Sequence, residues 1–327
     1  GSDSIHFDKL LIATGSVPVR PPIPGIDLPG VHPCWTLEDA RAIQKLAKPG
    51  ARVLQMGAGF IGCIILEALA SKNVKLTVVE MGDRMVPRMM TEVAGNLIKT
   101  WVEEKGIAVH TNTKVESITQ SQSGLLVKLS NGETIEVDLV ISATGVKPNI
   151  EFLKNSGLQI QTGILVNEQM QTSHPDIYAA GDVTESVDFC TGERIINAIQ
   201  PNAADQASIA ACNMAGGHAT AVGSLQVNVL DTLGLISSSF GQWSGIQGGQ
   251  HVERCNPDQY QYIRLEFDQD RLIGATSLGM TDHVGAIRGL IQTRVALGDW
   301  KEKLLHDPLR IMDAYLAKAQ AQANWVA

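Results

Sequence analysis

The run Gly57-Ala58-Gly59-Phe60-Ile61-Gly62, set between two apolar stretches, restricts the possible folds of this chain more than any other feature. Arg52 to Met56 reads as a strand, Phe60 to about Ser71 as a helix, and Lys75 to Glu80 as a second strand, which together form a βαβ unit. In a chain with 31 glycines a G-x-G-x-x-G match alone is a weak signal, but here it sits at a strand-to-helix turn of the right length for a dinucleotide fold. Gly57 permits the tight turn, Gly59 lets a pyrophosphate approach the positive helix N-terminus, and Gly62 lets helix and strand pack closely; Phe60 and Ile61 complete the turn. Glu80 ends the second strand, where its carboxylate can accept both adenosine ribose hydroxyls and would repel a 2′-phosphate, so the unit is expected to hold NAD(H) rather than NADP(H). The alternative is that these are ordinary turn glycines and Glu80 a solvated strand end. Arg84 lies either on the adenosine or on the surface, and an arginine there could also accommodate a 2′-phosphate.

An amphipathic helix follows, with Val93, Leu97, Ile98, Trp101 and Val102 on one face, and Gly106 leads into a third strand near Ile107 to His110. Turns at Ser123-Gly124 and Asn131-Gly132 then divide a β-meander: Val115 to Thr119, Leu125 to Leu129, Thr134 to Ala143. Further along come a strand near Gly163 to Asn167 and a helix starting near Pro201. The last hundred or so residues pair Tyr260–Phe267 with Arg271–Gly279 and end in helices over about Val284–Leu297 and Pro308–Gln322, an α+β pattern. The Pro-rich stretch Val17 to Gly25 reads as a connector.

At 327 residues the chain is long enough for substantial cores, and a net charge of -8 without a basic cluster argues against nucleic acid as a partner. No apolar run reaches the ~20 residues of a membrane span. The five cysteines (Cys34, Cys63, Cys190, Cys212, Cys255) contain no C-x-x-C pair, which points to a reducing, cytoplasmic setting without a disulfide framework. The eight histidines show no metal-ligand spacing, so no metal site is expected. Cys63 is either a thiol with its pKa lowered by the helix dipole or a packed small apolar residue, and Cys34 beside Trp35 is a comparable redox candidate. Gly241 to Gly245 reads as a turn, its serine one residue late for G-x-S-x-G. Gly1-Ser2 reads as an expression remnant, with no signal peptide after it.

Three further motifs resemble those of the pyridine nucleotide-disulfide oxidoreductases, two-dinucleotide-domain flavoproteins. Leu11-Ile12-Ala13-Thr14-Gly15-Ser16 and Val140 to Asn149 are similar to the two "ATG" strands that flank the family's inserted NAD unit. Thr172 to Asp182, ending Tyr-Ala-Ala-Gly-Asp, resembles the flavin motif whose aspartate lies on the ribityl chain. The resemblance implies that Thr14 and Gly15 lie near the adenine half of FAD, Gly181 and Asp182 at its ribityl-pyrophosphate segment, and the helix carrying Asn202 and Gln206 at the pyrimidine edge of the flavin. Gln206 as a plain surface helix residue is the alternative. Gly145 and Ile64 would border the nicotinamide. Within the family the C-terminal part is similar to the NADH oxidase, rubredoxin reductase and nitrite reductase flavoprotein branch, since His283 and His306 lack the neighbours of the dithiol reductases.

The chain departs from the family pattern in three places. Ile64 stands where a glutamate is usual, Ala207 follows Gln206 where a glycine is usual, and no ADP-binding βαβ segment precedes Leu10. The expected fold is therefore α/β: a Rossmann-like NAD domain (33–146) inserted in a truncated FAD domain (1–32 and 147–220), plus a C-terminal α+β domain (221–327). The expected function is FAD-dependent NAD(P)H oxidoreduction, hydride passing from NADH to FAD and on to an unidentified acceptor, with no catalytic acid or base. The alternative is a non-catalytic NADH-binding module unable to hold FAD. A homodimer is expected from the family's C-terminal domain.

Overall fold

The computed structural model describes residues 3–323, without the side chains of 319–323; Gly1-Ser2 lies outside the described residues. Its helices are Leu37–Leu46 (α1), Phe60–Ala70 (α2), Glu92–Glu104 (α3), Gln200–Met214 (α4), Val284–Thr293 (α5), Asp299–His306 (α6) and Ile311–Ala323 (α7). The chain divides into two compact units, residues 1–17 with 146–227, and residues 18–145 with 228–327.

The second unit contains a five-stranded parallel sheet in the order Val31–Pro33, Leu139–Ser142, Arg52–Met56, Lys75–Val79, Ala108–His110. Its central strands are apolar runs because helices and the meander cover both faces. Helix α2 buries Cys63, Ile65, Leu66 and Leu69, and helix α3 buries Ala94, Gly95, Ile98 and Val102, while Val93 points outward, 40% exposed, instead of joining the apolar face. The meander Val115–Gln120, Leu125–Leu129, Thr134–Val137 forms as the sequence predicts. The single strand expected over Thr134–Ala143 is instead two. At Asp138 the chain leaves the meander, its carboxylate taking the Arg52 backbone N–H at 2.7 Å and the guanidinium at 2.7 Å, and Leu139–Ser142 enters the parallel sheet.

The same unit carries a second five-stranded sheet, ordered Val227–Thr232, Leu235–Gly241, Arg271–Leu278, Gln261–Asp268, Gln250–Asn256. Only its Gln261–Asp268/Arg271–Leu278 hairpin is read from sequence. Leu230, Leu235, Tyr262 and Leu278 of this sheet share one core cluster with Ile98 and Val102 of α3. Trp101 donates its indole N–H to the Thr232 and Leu233 carbonyls (3.1 and 3.2 Å), and its ring stands edge-on to Tyr260. The helix expected to reach Leu297 stops at Thr293, because Arg294 is left-handed (φ 50°), and Pro308 to Arg310 form a 3-10 turn before α7.

In the first unit Leu10–Ile12 pairs in parallel with Ile177–Ala179, and Ile164–Leu165 with Thr184–Val187, which also pairs antiparallel with Arg194–Ile195. Ile12, Ile164, Val166, Tyr178, Ala179, Val183 and α4's Ala210 form its core. The strand expected over Gly163–Asn167 shortens to Ile164–Leu165.

Candidate functional site

The glycine turn is held by contacts that only glycine permits. Gly57 is left-handed (φ 97°), and a Cβ there would fall 2.4 Å from the Ala143 carbonyl oxygen. A Cβ on Gly62 would lie 2.4 Å from the Gly57 oxygen and 2.8 Å from Gln55 Nε2. At Gly59, by contrast, a Cβ would meet nothing within 4 Å. Gly59 caps α2 without a side-chain hydrogen bond, and no acid lies in the first turn. The positive end of the helix therefore opens onto free space beside a residue without a side chain, a cradle that fits a pyrophosphate.

Glu80 is tied to this turn from the far end of the next strand. Its Oε2 accepts the Ala58 N–H at 2.7 Å and its Oε1 accepts the Gly82 N–H at 2.8 Å. A carboxylate oxygen accepts more than one hydrogen bond, so the orientation these donors impose leaves acceptor capacity for ribose hydroxyls. The Ala58 carbonyl in turn accepts the Val86 N–H at 2.8 Å, so both peptide groups of this fully buried alanine are clasped by the 80–90 segment. Val86 holds this position with φ 50°, a left-handed conformation that costs a β-branched residue about 1–3 kcal/mol, and burial of Met85, Val86, Met89 and Met90 keeps it there.

Gln55 is a member of the site that sequence reading passes over. Fully buried, it donates its amide N–H groups to the carbonyls of Gly57 (2.9 Å) and Gly62 (3.1 Å), which fixes both ends of the turn. A lone amide within an otherwise apolar central strand is the available clue. Ile61 packs against the core, whereas Phe60 and Ile64, one helical turn apart, are 36% and 52% exposed. Gly145 is left-handed (φ 106°) with open space where a Cβ would point, and its carbonyl accepts the Val19 N–H at 2.8 Å.

Arg84 is not the free surface residue that one reading of the sequence allows. Its Nε donates to the Met90 carbonyl at 3.0 Å and its Nη2 to the Pro87 carbonyl at 3.3 Å, while Nη1 pairs with Asp83 at 2.6 Å. With 20% of its side chain exposed, it braces its own loop instead of lying free on the surface. The Cys63 thiol is fully buried, donates to the Ala58 carbonyl at 3.5 Å, and is pushed up to about 12 by burial. That removes the reading in which the helix dipole activates it; Cys63 is packing.

The flavin-motif residues all fall in the other unit. Thr14 donates its hydroxyl to the Asn149 carbonyl at 3.1 Å, and Gly15, left-handed at φ 65°, accepts the Asn149 N–H at 2.9 Å. Asp182 accepts the Ser16 hydroxyl at 2.7 Å. Gln206 is 3% exposed, which excludes the surface reading: its Oε1 accepts the Gly181 N–H (2.8 Å) and the Thr184 hydroxyl (2.9 Å), and its Nε2 donates to Ser186 (3.1 Å). Gln206 thus fixes the left-handed Gly181 turn (φ 81°) ahead of Asp182. Asn202 donates to the Asn197 carbonyl at 2.9 Å and accepts from Ser224 at 2.7 Å; α4 begins after Ile199 with no side-chain cap.

Residues 1–207 match the family model for pyridine nucleotide-disulphide oxidoreductases, and the chain belongs to that family. Its members are FAD-dependent NAD(P)H oxidoreductases. The chain is 31% identical over 311 residues to the NADH-dependent phenylglyoxylate dehydrogenase subunit epsilon of Aromatoleum evansii, covering 94% of this chain and 74% of the relative. It is 39% identical over 215 residues to an NADH oxidase of Methanocaldococcus jannaschii, covering 65% of this chain and 48% of the relative. Among solved structures, a NAD-dependent persulfide reductase from A. fulgidus matches with a TM-score of 0.84 at 31% identity, over 91% of this chain and 59% of that one. The chain therefore spans about half of the NADH oxidase and 59% of the reductase. No helix among the described residues is long and apolar enough to cross a membrane.

Proposed function

We propose that this chain works as the NADH-binding part of an FAD-dependent oxidoreductase, taking reducing equivalents from NADH and delivering them through FAD to a further acceptor. The observation that carries the reading is the Glu80 carboxylate, anchored on the Ala58 and Gly82 N–H groups beside the uncapped N-terminus of α2. Gly57, Gly59, Phe60, Ile61 and Gly62 would hold the pyrophosphate segment of NAD(H), Glu80 the adenosine ribose, and Gly145 with Ile64 the nicotinamide side. Arg84 would act from behind, through its loop. Thr14, Gly15, Gly181 and Asp182 would hold FAD, with Gln206 setting the Gly181 turn.

FAD, when bound, supplies the chemistry of accepting a hydride and releasing its electrons to another group. This chain's own residues supply position: they orient the nucleotide and need no acid or base for the transfer. The acceptor is a small molecule or a redox protein. A homodimer in a cytoplasmic setting fits the reducing environment that five free thiols imply.

Anaerobic reconstitution with FAD followed by NADH tests the reading. Loss of the oxidised flavin absorbance is the expected result. A flavin band that NADH leaves unchanged, in protein that still binds NADH, favours the non-catalytic binding module instead.

A further inference from the structure

We infer that Arg84 is a positioning residue for the nucleotide carboxylate, acting through the loop it closes and not as a ligand of phosphate or adenosine; the inference rests on the Glu80 reading above. The segment from Glu80 to Thr91 leaves the parallel sheet, touches the glycine turn twice, and enters α3 at its N-cap Thr91. Without internal strand or helix bonds, such a segment needs other partners to keep one shape. Arg84 provides them across the loop. Its fork reaches Met90 O and Pro87 O on the returning limb, and Met90 N–H and Met89 N–H both close on Val86 O (3.0 and 3.1 Å).

The stem of Arg84 is equally committed. A Cβ on Gly95 of α3 would lie 2.9 Å from both Arg84 Cγ and Cδ and 2.6 Å from the Met85 carbonyl, so the loop is seated directly on the helix where that residue has no side chain. The seat fixes Val86, whose N–H holds Ala58, and it fixes Gly82, whose N–H holds Glu80 and whose carbonyl accepts the Asn112 N–H at 2.8 Å. Arg84 and Glu80 are thus connected through the main chain without touching. Releasing the guanidinium frees the left-handed Val86 turn to relax and lets Gly82 drift from the carboxylate, so Glu80 loses its aim at a ribose 2′-hydroxyl.

The test is calorimetric titration of the chain with AMP and with 2′-deoxy-AMP at 25 °C on the wild type, Arg84→Met, Arg84→Lys and Gly95→Ala, each first shown to be folded by circular dichroism. The wild type is expected to prefer AMP roughly tenfold, one charge-assisted hydrogen bond's worth. Arg84→Met is expected to weaken AMP about tenfold and to bring the AMP/2′-deoxy-AMP ratio close to one. Arg84→Lys, which keeps the charge and stem but loses the fork, recovers the ratio only in part. Gly95→Ala, which leaves Arg84 intact and lifts the loop from α3, is expected to lower the ratio as well. Equal weakening of both nucleotides with the ratio preserved means that Arg84 touches the nucleotide itself and overturns the proposal, as does unchanged binding in Arg84→Met. A wild-type ratio near one overturns the Glu80 reading along with it, and so separates the two failures.

Discussion

The nucleotide side and the flavin side of this chain use the same elements, a left-handed glycine after a short parallel strand and an acid beyond it, yet they differ in the room they leave at their glycines. On the nucleotide side main chain packs closely on main chain, Gly57 against Ala143 and Gly62 against Gly57, and two side chains add to it: the buried Gln55 amide bonds the Gly57 and Gly62 carbonyls, and the Glu80 carboxylate takes the Ala58 N–H, all on a five-stranded parallel sheet. On the flavin side Leu10–Ile12 pairs with Ile177–Ala179 in a two-stranded sheet, and the Gly181 turn has open tolerance, its missing Cβ 3.5 Å from Ala203. There a side chain, the Gln206 amide, keeps the turn in place. The lesson is that a buried glutamine holds each turn, but only on the nucleotide side is a side chain also excluded by backbone at the glycines, Gly57 and Gly62.

This contrast breaks if glycines on the two sides respond alike. Gly62→Ala puts a Cβ 2.4 Å from a carbonyl oxygen that cannot move without opening the turn, and NADH affinity is expected to fall at least ~100-fold, about 2.7 kcal/mol. Gly181→Ala strains only its own backbone, by roughly 1–2 kcal/mol, and is expected to leave NADH affinity within twofold. Calorimetric titration of both variants checks the pair.

Gln206→Leu sharpens the same point from the other side. It leaves the Gly181 N–H and the Ser186 hydroxyl short of a buried partner, while Thr184 keeps the Gly181 carbonyl, an expected cost of about 1–3 kcal/mol in urea unfolding followed on the flavin-side unit, with the Kd for NADH unchanged. A large loss of NADH affinity in this variant would mean that the nucleotide side depends on the flavin side.

The smallest expected effect is a dependence on pH that belongs to the nucleotide side. Arg52 holds the Asp138 carboxyl below the usual carboxylate range by side-chain and backbone hydrogen bonds, and Ser123 together with Arg52 does the same for Glu136. Because the folded-state pKa values are depressed, this stabilisation is full above the unfolded carboxylate pKa near 4 and is lost as the pH falls through the lowered values. The urea midpoint is expected to drop below about pH 4, and Arg52→Met to flatten that drop. An unaltered acid profile in Arg52→Met would show that other carboxylates govern it.

Much of the nucleotide side was legible in the sequence, because glycine spacing and apolar periodicity are local signals that the β–turn–α geometry turns directly into structure. Glu80 was readable for the same reason. The loop bonds of Arg84 were hidden because a sequence shows its charge but not the Met90 and Pro87 carbonyls that its guanidinium meets. The break at Asp138 was hidden because its cause, Arg52, lies 86 residues away. The strand Leu235–Gly241 was missed because its interior is Ser237-Ser238-Ser239, all buried, with Ser238 paired to Ser277 at 2.7 Å across the sheet, a polar run that mimics a loop. Helix α1 carries a full capping box at Thr36 and Asp39 that a search for Ser/Thr-x-x-Glu/Gln does not match.

The most direct test of the central claim is competitive titration of this chain with NADH and NADPH, on the wild type and on Glu80→Gln. The account predicts NADH binding at least ~10-fold tighter than NADPH in the wild type, with most of that gap closed once the carboxylate is neutralised. NADPH bound as tightly as NADH by the wild type, or a preference that Glu80→Gln leaves intact, would contradict it.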